Sequence, residues 1–265
     1  AVFLASILWT VWTTTEDPPA DLQAFRQKNA QSAGFFRGLG EILDQVGQMP
    51  AVMWKLGLVQ FFSWFAFFTM WSFATPALTE HVFGAPMPNP GAVDFEKAFG
   101  AYNQAANKVG SAMGLYGLTS MGFALVLTLI TASRTINQRL IHGVSLALGG
   151  LGFAGMTLAG PEYPEIINLG FGLIGLAWGS ILSMPYALLS SHVAPERMGI
   201  SMGLFNMFIV LPQILAAVGL TWIYTTFIGE ASINAMVLAG ICLIIAGLSN
   251  LLITNPHAIR YQGEI

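Results

Sequence analysis

Charge is scarce in this chain. Of its 265 residues only 9% are Asp, Glu, Lys or Arg, 55% are hydrophobic, and the mean hydropathy is +0.66. A domain wetted on all sides carries about a quarter charged residues, so water is excluded as the main solvent. Cysteine is almost missing too. Cys242 stands alone inside an apolar segment, which rules out a disulfide framework and a cysteine metal centre. No nucleophile lies beside a base, no metal-ligand cluster appears and no glycine-rich phosphate loop is present; no enzyme activity and no cofactor are expected. The formal charge of −3 offers nothing to nucleic acid, and no such partner is expected.

What the chain does have is length without charge. Residues 56–79, 109–133, 140–161, 166–195, 198–229 and 231–259 contain no Asp, Glu, Lys or Arg. A helix needs about 20 mostly apolar residues to cross ~30 Å of hydrocarbon, and each run supplies them. Only helices and closed barrels satisfy their backbone groups in lipid, and barrel strands would be half as long and would alternate. The expected fold is an all-α membrane protein, a six-transmembrane-helix bundle embedded in a lipid bilayer.

A seventh apolar piece, residues 1–15, is too short to cross and stops at Glu16-Asp17-Pro18-Pro19. With no basic residue before it and no small-residue cleavage site after it, it reads as the end of a preceding helix, not as a signal peptide. The layout is then 1–15 helix end, 16–50 linker, 51–254 bundle and 255–265 tail. Alternating the connections puts eight basic residues (Arg26, Lys28, Arg37, Lys55, Arg134, Arg139, Arg197, Arg260) on one side, against Lys97 and Lys108 on the other. By the positive-inside rule the linker and the tail are expected to be cytoplasmic, in the cell membrane. In the linker, Phe35, Phe36, Leu39, Ile42, Leu43 and Val46 recur at spacings that suit an amphipathic surface helix. Gly34, Gly38, Gly40 and Gly47 leave a loosely ordered connector as the alternative. The proline-rich stretch 81–96 reads as an irregular outer loop, after which 95–107 extends the second span outward.

Small residues four apart (Gly150 and Ala154, Gly175 and Gly179, Gly199 and Gly203, Ala235 and Ala239) predict close helix contacts. The six spans are of a number that two three-helix repeats of inverted topology would use.

Function is then sought in polar and aromatic groups at mid-depth, each of which costs free energy unless it has a partner or meets water. In the fifth span Asn206 and Gln213 are seven apart, hence on one face, with Val210 between them and Pro212 alongside. The fourth span carries Trp178, Leu182 and Tyr186 on one face, with Ser180, Ser183 and Pro185 beside them. Gln60, Trp64, Phe68 and Trp71 form a ladder on the first span, and Tyr102, Asn103 and Asn107 lie toward the outer mouth. Rings that cover the apolar face of a sugar, with amides and hydroxyls for its OH groups, suit a neutral polyol better than an ion. The substrate-binding candidates are Trp64, Trp71, Asn103, Trp178, Ser183, Tyr186, Asn206 and Gln213. No Asp, Glu, Lys or Arg falls at mid-depth, so a titrating group for ion coupling is expected elsewhere. His142 and His192 read as interfacial.

The run 175–214, GLAWGSILSMPYALLSSHVAPERMGISMGLFNMFIVLPQI, resembles the tenth and eleventh helices of sugar carriers of the major facilitator superfamily. The nearest likeness is to bacterial maltose or α-glucoside carriers related to plant sucrose/proton symporters. Residues 60–84, QFFSWFAFFTMWSFATPALTEHVFG, look like the seventh helix of that group, and Tyr102-Asn103 like its eighth-helix pair. The resemblance implies that residues 1–15 end transmembrane helix six and that the chain is the C-terminal half of a twelve-helix fold. It implies a missing N-terminal six-helix half as partner, and a sugar as substrate, a disaccharide or α-glucoside such as maltose or sucrose. It also implies alternating access with a proton as coupling ion, the protonated carboxylate lying on the N-terminal side. The residues themselves leave two other readings open: an exporter of amphipathic compounds and a non-transporting membrane scaffold.

Overall fold

The structure is a computed structural model that describes residues 2–14, 21–23, 40, 44, 46–47, 49–132, 136–193, 198–227 and 229–253. The chain divides into two compact units, Ala1–Met49 and Pro50–Ile265. The first holds helix α1 (Val2–Thr13), an apolar segment whose Thr10 and Thr13 hydroxyls donate back to the Ser6 and Trp9 carbonyls. Of the six residues proposed for the amphipathic helix only Val46 is described; the other five, and the tail 255–265, lie outside the described residues.

The second unit is built from α2 (Ala51–Phe83), α3 (Phe95–Thr131), α4 (Gln138–Gly155), α5 (Ile166–Ser190), α6 (Met198–Phe227) and α7 (Asn234–Ser249). Short 3-10 turns, Met156–Leu158 and Asn250–Leu252, prolong α4 and α7. Among the described residues there is no strand, and these six helices are long and apolar enough to cross a membrane. The chain is therefore an all-α multi-pass membrane bundle. The extension of the second span is part of one unbroken helix of 37 residues, α3.

Helix ends follow local chemistry. Gly84 takes the left-handed conformation (φ 58°) that a Cβ disfavours, and the Gly84 and Ala85 N–H groups reach the Glu80 and Thr79 carbonyls, closing α2. Asn137 caps α4 by accepting the Leu140 N–H at 3.0 Å. Pro76, Pro185 and Pro212 sit within α2, α5 and α6 without ending them. Membrane helices tolerate this where neighbours and side chains satisfy the freed carbonyls.

The packing has a hidden symmetry. Helix α2 packs on α7 and α6, α5 packs on α4 and α3, and α4 packs on α7. Exchanging the triplet α2-α3-α4 with α5-α6-α7 turns the first four of these pairings into one another and α4–α7 into itself, whereas the packing of α2 on α3 and of α6 on α7 is not mirrored in this way. Because α2 and α5 are separated by three crossings, they run in opposite senses. The five pairings are those that two three-helix repeats of inverted topology would share.

Small residues set the closest approaches. A Cβ added to Gly150 would lie 2.9 Å from the Gly240 carbonyl oxygen, and one on Gly240 3.1 Å from the Ala154 nitrogen, so α4 and α7 touch backbone to backbone. One on Gly175 would lie 2.5 Å from the Tyr116 carbonyl oxygen, which docks α5 on α3. Ala235 and Ala239 are wholly buried. The fourth pair departs from expectation: nothing lies within 4 Å of a Cβ added to Gly199 or Gly203, because that face of α6 is uncovered among the described residues. At the other end of the bundle the Ser232 hydroxyl donates to the Glu80 carboxylate, and His81 Nε2 lies 3.1 Å from the Thr157 carbonyl.

Candidate functional site

Three of the candidate rings, from two helices, meet inside the bundle. Trp178 of α5 lies with its ring centroid 5.6 Å from Trp64 and 5.3 Å from Trp71 of α2, both edge-to-face; Trp64 and Trp71 are 6.2 Å apart. Two rings that the periodicity did not single out complete the group. Phe67 lies 4.9 Å from Trp178, and Tyr116 of α3 lies 6.4 Å from it. The Trp71 indole donates to the Tyr116 hydroxyl at 3.4 Å. Edge-to-face rings at these separations attract through their quadrupoles as well as by burial. Trp71, 40% exposed, brings the cluster to the bundle surface.

The ladder on α2 is therefore shifted from the expected one. Phe67, not Phe68, joins Trp64 and Trp71, since α5 approaches from the side on which Phe67 projects, 100° round the helix from its neighbour. Leu182, four residues on from Trp178, is 50% exposed.

Tyr186, eight residues along α5 and so about 12 Å from Trp178, packs edge-to-face on Phe205 of α6 at 5.7 Å. Phe205 leads on to Phe208, whose ring meets Trp54 of α2 at 5.5 Å. Along α6, Ser201, Leu204, Phe205, Pro212, Ala216 and Leu220 make the buried stripe. Asn206 and Gln213 each follow a member of it by one residue, so they share one flank, about 10.5 Å apart along the axis. Asn206 is exposed, Gln213 is half-buried, and neither has a hydrogen-bond partner among the described residues. Neither amide is thus occupied in bridging to a neighbouring helix.

Two candidates stand apart. Ser183 faces a small cleft of about 240 Å³ between α5 and the adjoining ends of α3 and α4, and its hydroxyl donates to the Gly179 carbonyl. Asn103 is exposed near the start of α3, in contact with none of the other candidates.

Beside the ring cluster lies a set of polar atoms from Gln60 and Trp64 of the expected ladder and from Ser63, which the sequence pattern did not single out. Gln60 and Ser63 are fully buried, and the Gln60 amide nitrogen and oxygen, the Ser63 hydroxyl and the Trp64 indole nitrogen have no hydrogen-bonding partner among the described residues. All belong to one turn of α2. Leaving a buried polar atom unmet costs ~1–3 kcal/mol, so this turn of α2 is where an ordered water or a polar ligand would be most stabilising.

His142 also departs from expectation. It is fully buried, not interfacial, because α5 covers the start of α4; its Nδ1 lies 2.7 Å from the Ser180 hydroxyl. His192 ends α5 as expected, half-buried, with Nδ1 2.8 Å from the Leu188 carbonyl.

A six-span bundle with a ring cluster and polar groups in its interior suits a carrier half. Residues 1–217 match the family model of the Major Facilitator Superfamily, and the chain belongs to that family. This places it among membrane transport proteins and not among enzymes. It is similar to the sucrose transport protein SUC4 of Arabidopsis thaliana, 25% identical over 241 residues, a match covering 82% of this chain. The chain spans 44% of the length of that relative.

Proposed function

We propose that this bundle is the C-terminal half of a secondary sugar carrier that works by alternating access, with a disaccharide or α-glucoside such as maltose or sucrose held against it by a second six-helix half. The cell membrane is its location, with the linker and tail on the cytoplasmic side, as the excess of basic residues on that side favours. The observation that carries the reading is the meeting of Trp64, Trp71 and Trp178 beside unmet amide and hydroxyl groups. Indole faces cover the apolar face of a pyranose, and amides serve its hydroxyls; neither feature holds an ion.

Proton coupling belongs to the same proposal. The described residues of the six spans carry no Asp, Glu, Lys or Arg at mid-depth. Glu80 lies at the end of α2 and accepts from Ser232, which removes it from the ring cluster. The coupling carboxylate is accordingly assigned to the other half.

The test is uptake of labelled maltose and sucrose into vesicles containing the complete carrier, with and without an inward proton gradient. Asn206→Ala and Gln213→Ala are each expected to lower apparent sugar affinity two- to tenfold, since one neutral hydrogen bond contributes about 0.5–1.5 kcal/mol. Unchanged affinity in both variants, at equal membrane abundance, would refute the amide wall. Competition by amphipathic non-sugars, with no counterflow of labelled maltose, would select the exporter reading instead.

Gln60→Met keeps the length of the side chain and removes both unmet polar atoms. The expected result is a bundle at least as resistant to heat in detergent as the parent, with sugar uptake reduced severalfold. Full uptake would show that the buried amide takes no part in transport.

A further inference from the structure

We propose that the groove between α4 and α7 is a binding site for one anionic phospholipid. The site is separate from the ring cluster and independent of the sugar assignment. It has a volume of about 420 Å³, within the range of small-molecule pockets.

Its two ends differ in chemistry. At the end where α4 starts and α7 finishes, Arg139 and Asn250 face into the groove. Among the described residues no acidic side chain lines it and the Arg139 guanidinium has no ion-pair partner. Asn250 is fully buried; its Nδ2 donates to the Arg139 carbonyl at 2.6 Å, while its Oδ1 is unmet. One cation and one free acceptor fit a phosphodiester that also carries hydroxyl donors, as in phosphatidylglycerol. Capping already occupies Asn137 Oδ1 with the Leu140 N–H, so the pull on the headgroup is that of Arg139 and not of the helix terminus.

Moving away from that end, the walls are aliphatic. Leu140, Val144 and Ala147 come from α4, and Ile244 and Leu248 from α7. The α4 wall runs about 10 Å along its helix and the α7 wall about 6 Å. Gly143 and Gly247 make the floor: a Cβ on Gly247 would lie 3.2 Å from the Gly143 carbonyl oxygen. Leu140 and Leu248 are each 61% exposed and Val144 50%, so the groove opens outward over its length. A free phosphate would leave these walls unused. An acyl chain fills them while its headgroup stays at the interface, where a basic pocket between membrane helices recognises anionic lipid.

Native mass spectrometry of the purified full chain in mild detergent tests this, with dioleoyl phosphatidylglycerol and dioleoyl phosphatidylcholine as probes. One phosphatidylglycerol should be retained per chain in preference to phosphatidylcholine. Arg139→Gln should remove about fivefold of that preference, the contribution of one cation near a membrane surface. Val144→Trp should fill the groove and abolish retention of both lipids. Equal retention of the two lipids by the parent chain, or a preference that survives Arg139→Gln, would overturn the proposal. So would displacement by glycerol 3-phosphate alone, which would mean a headgroup site without a lipid, or a lipid-free dimer mass, which would mean a second copy. Should Val144→Trp fail to fold, the Arg139→Gln comparison decides alone.

Discussion

Gly152→Ala should loosen the bundle, and Gly152→Leu should prevent its assembly. A Cβ on Gly152 would stand 2.6 Å from the Gly170 carbonyl oxygen of α5, and one on Gly170 3.0 Å from the Gly152 carbonyl oxygen. Both contacts are with backbone, which cannot rotate away as a side chain can. The helices must therefore part, and every contact along the α4–α5 seam suffers, including the His142 bond to Ser180. Overpacking a tight site costs about 1–3 kcal/mol for the smallest addition, and more for a branched side chain. Thermal unfolding in detergent, followed by the loss of the monodisperse species, measures it. Gly110→Ala is the control. Nothing lies within 4 Å of its added Cβ, and alanine is the better helix former, so its midpoint should hold or rise. An unchanged midpoint for Gly152→Ala would mean that the two helices are not in backbone contact.

That seam also marks the limit of what the amino-acid pattern reveals. Helix α4 is wedged between two neighbours, and glycines two residues apart serve different ones: Gly150 meets α7 and Gly152 meets α5. The four-residue rule finds Gly150 with Ala154 but is silent on Gly152, whose partner Gly170 lies on another helix. The spans themselves were plain, because lipid imposes one requirement, a long run without charge, and α5 and α6 begin at the first residues of their uncharged runs. Proline was a weaker guide than in water, since Pro76, Pro185 and Pro212 interrupt nothing.

For the candidate site the same division holds. Spacing put Trp64 with Trp71, and Asn206 with Gln213, because residues seven apart share a helix face whatever surrounds them. It could not tell that Trp178 meets the first pair, that Phe67 replaces Phe68, or that Tyr116 arrives from a third helix. Those facts depend on how helices are rotated against one another, which is decided by contacts between helices such as that of Gly175 with the Tyr116 carbonyl, not by spacing within one helix. His142 was misplaced for a related reason. Distance from a helix end measures depth but not cover, and α5 overhangs the start of α4.

Within the ring cluster stability and binding should come apart on substitution. Trp178→Ala removes the ring that touches Trp64, Phe67, Trp71 and Tyr116 at once. Trp178 is half-buried, so its removal should cost somewhat less than the ~3–5 kcal/mol of a fully buried aromatic, and a marked loss of folded protein in detergent is the expected outcome. Trp71→Ala is different. Its indole is 40% exposed and gives up one 3.4 Å hydrogen bond to Tyr116, so the fold should survive with a small fall in melting temperature. If the exposed part of that ring is the platform for a sugar, apparent affinity for maltose or sucrose should fall about two- to tenfold, the equivalent of ~0.5–1.5 kcal/mol for an aromatic contact. Trp71→Phe should recover part of it. Sugar-dependent quenching of tryptophan fluorescence, read beside a thermal melt, separates the two effects. A Trp71→Ala carrier that binds sugar as the parent does, while Trp178→Ala merely unfolds, would reduce the cluster to a packing device. The substrate would then have to meet the flank of α6 that bears Asn206 and Gln213.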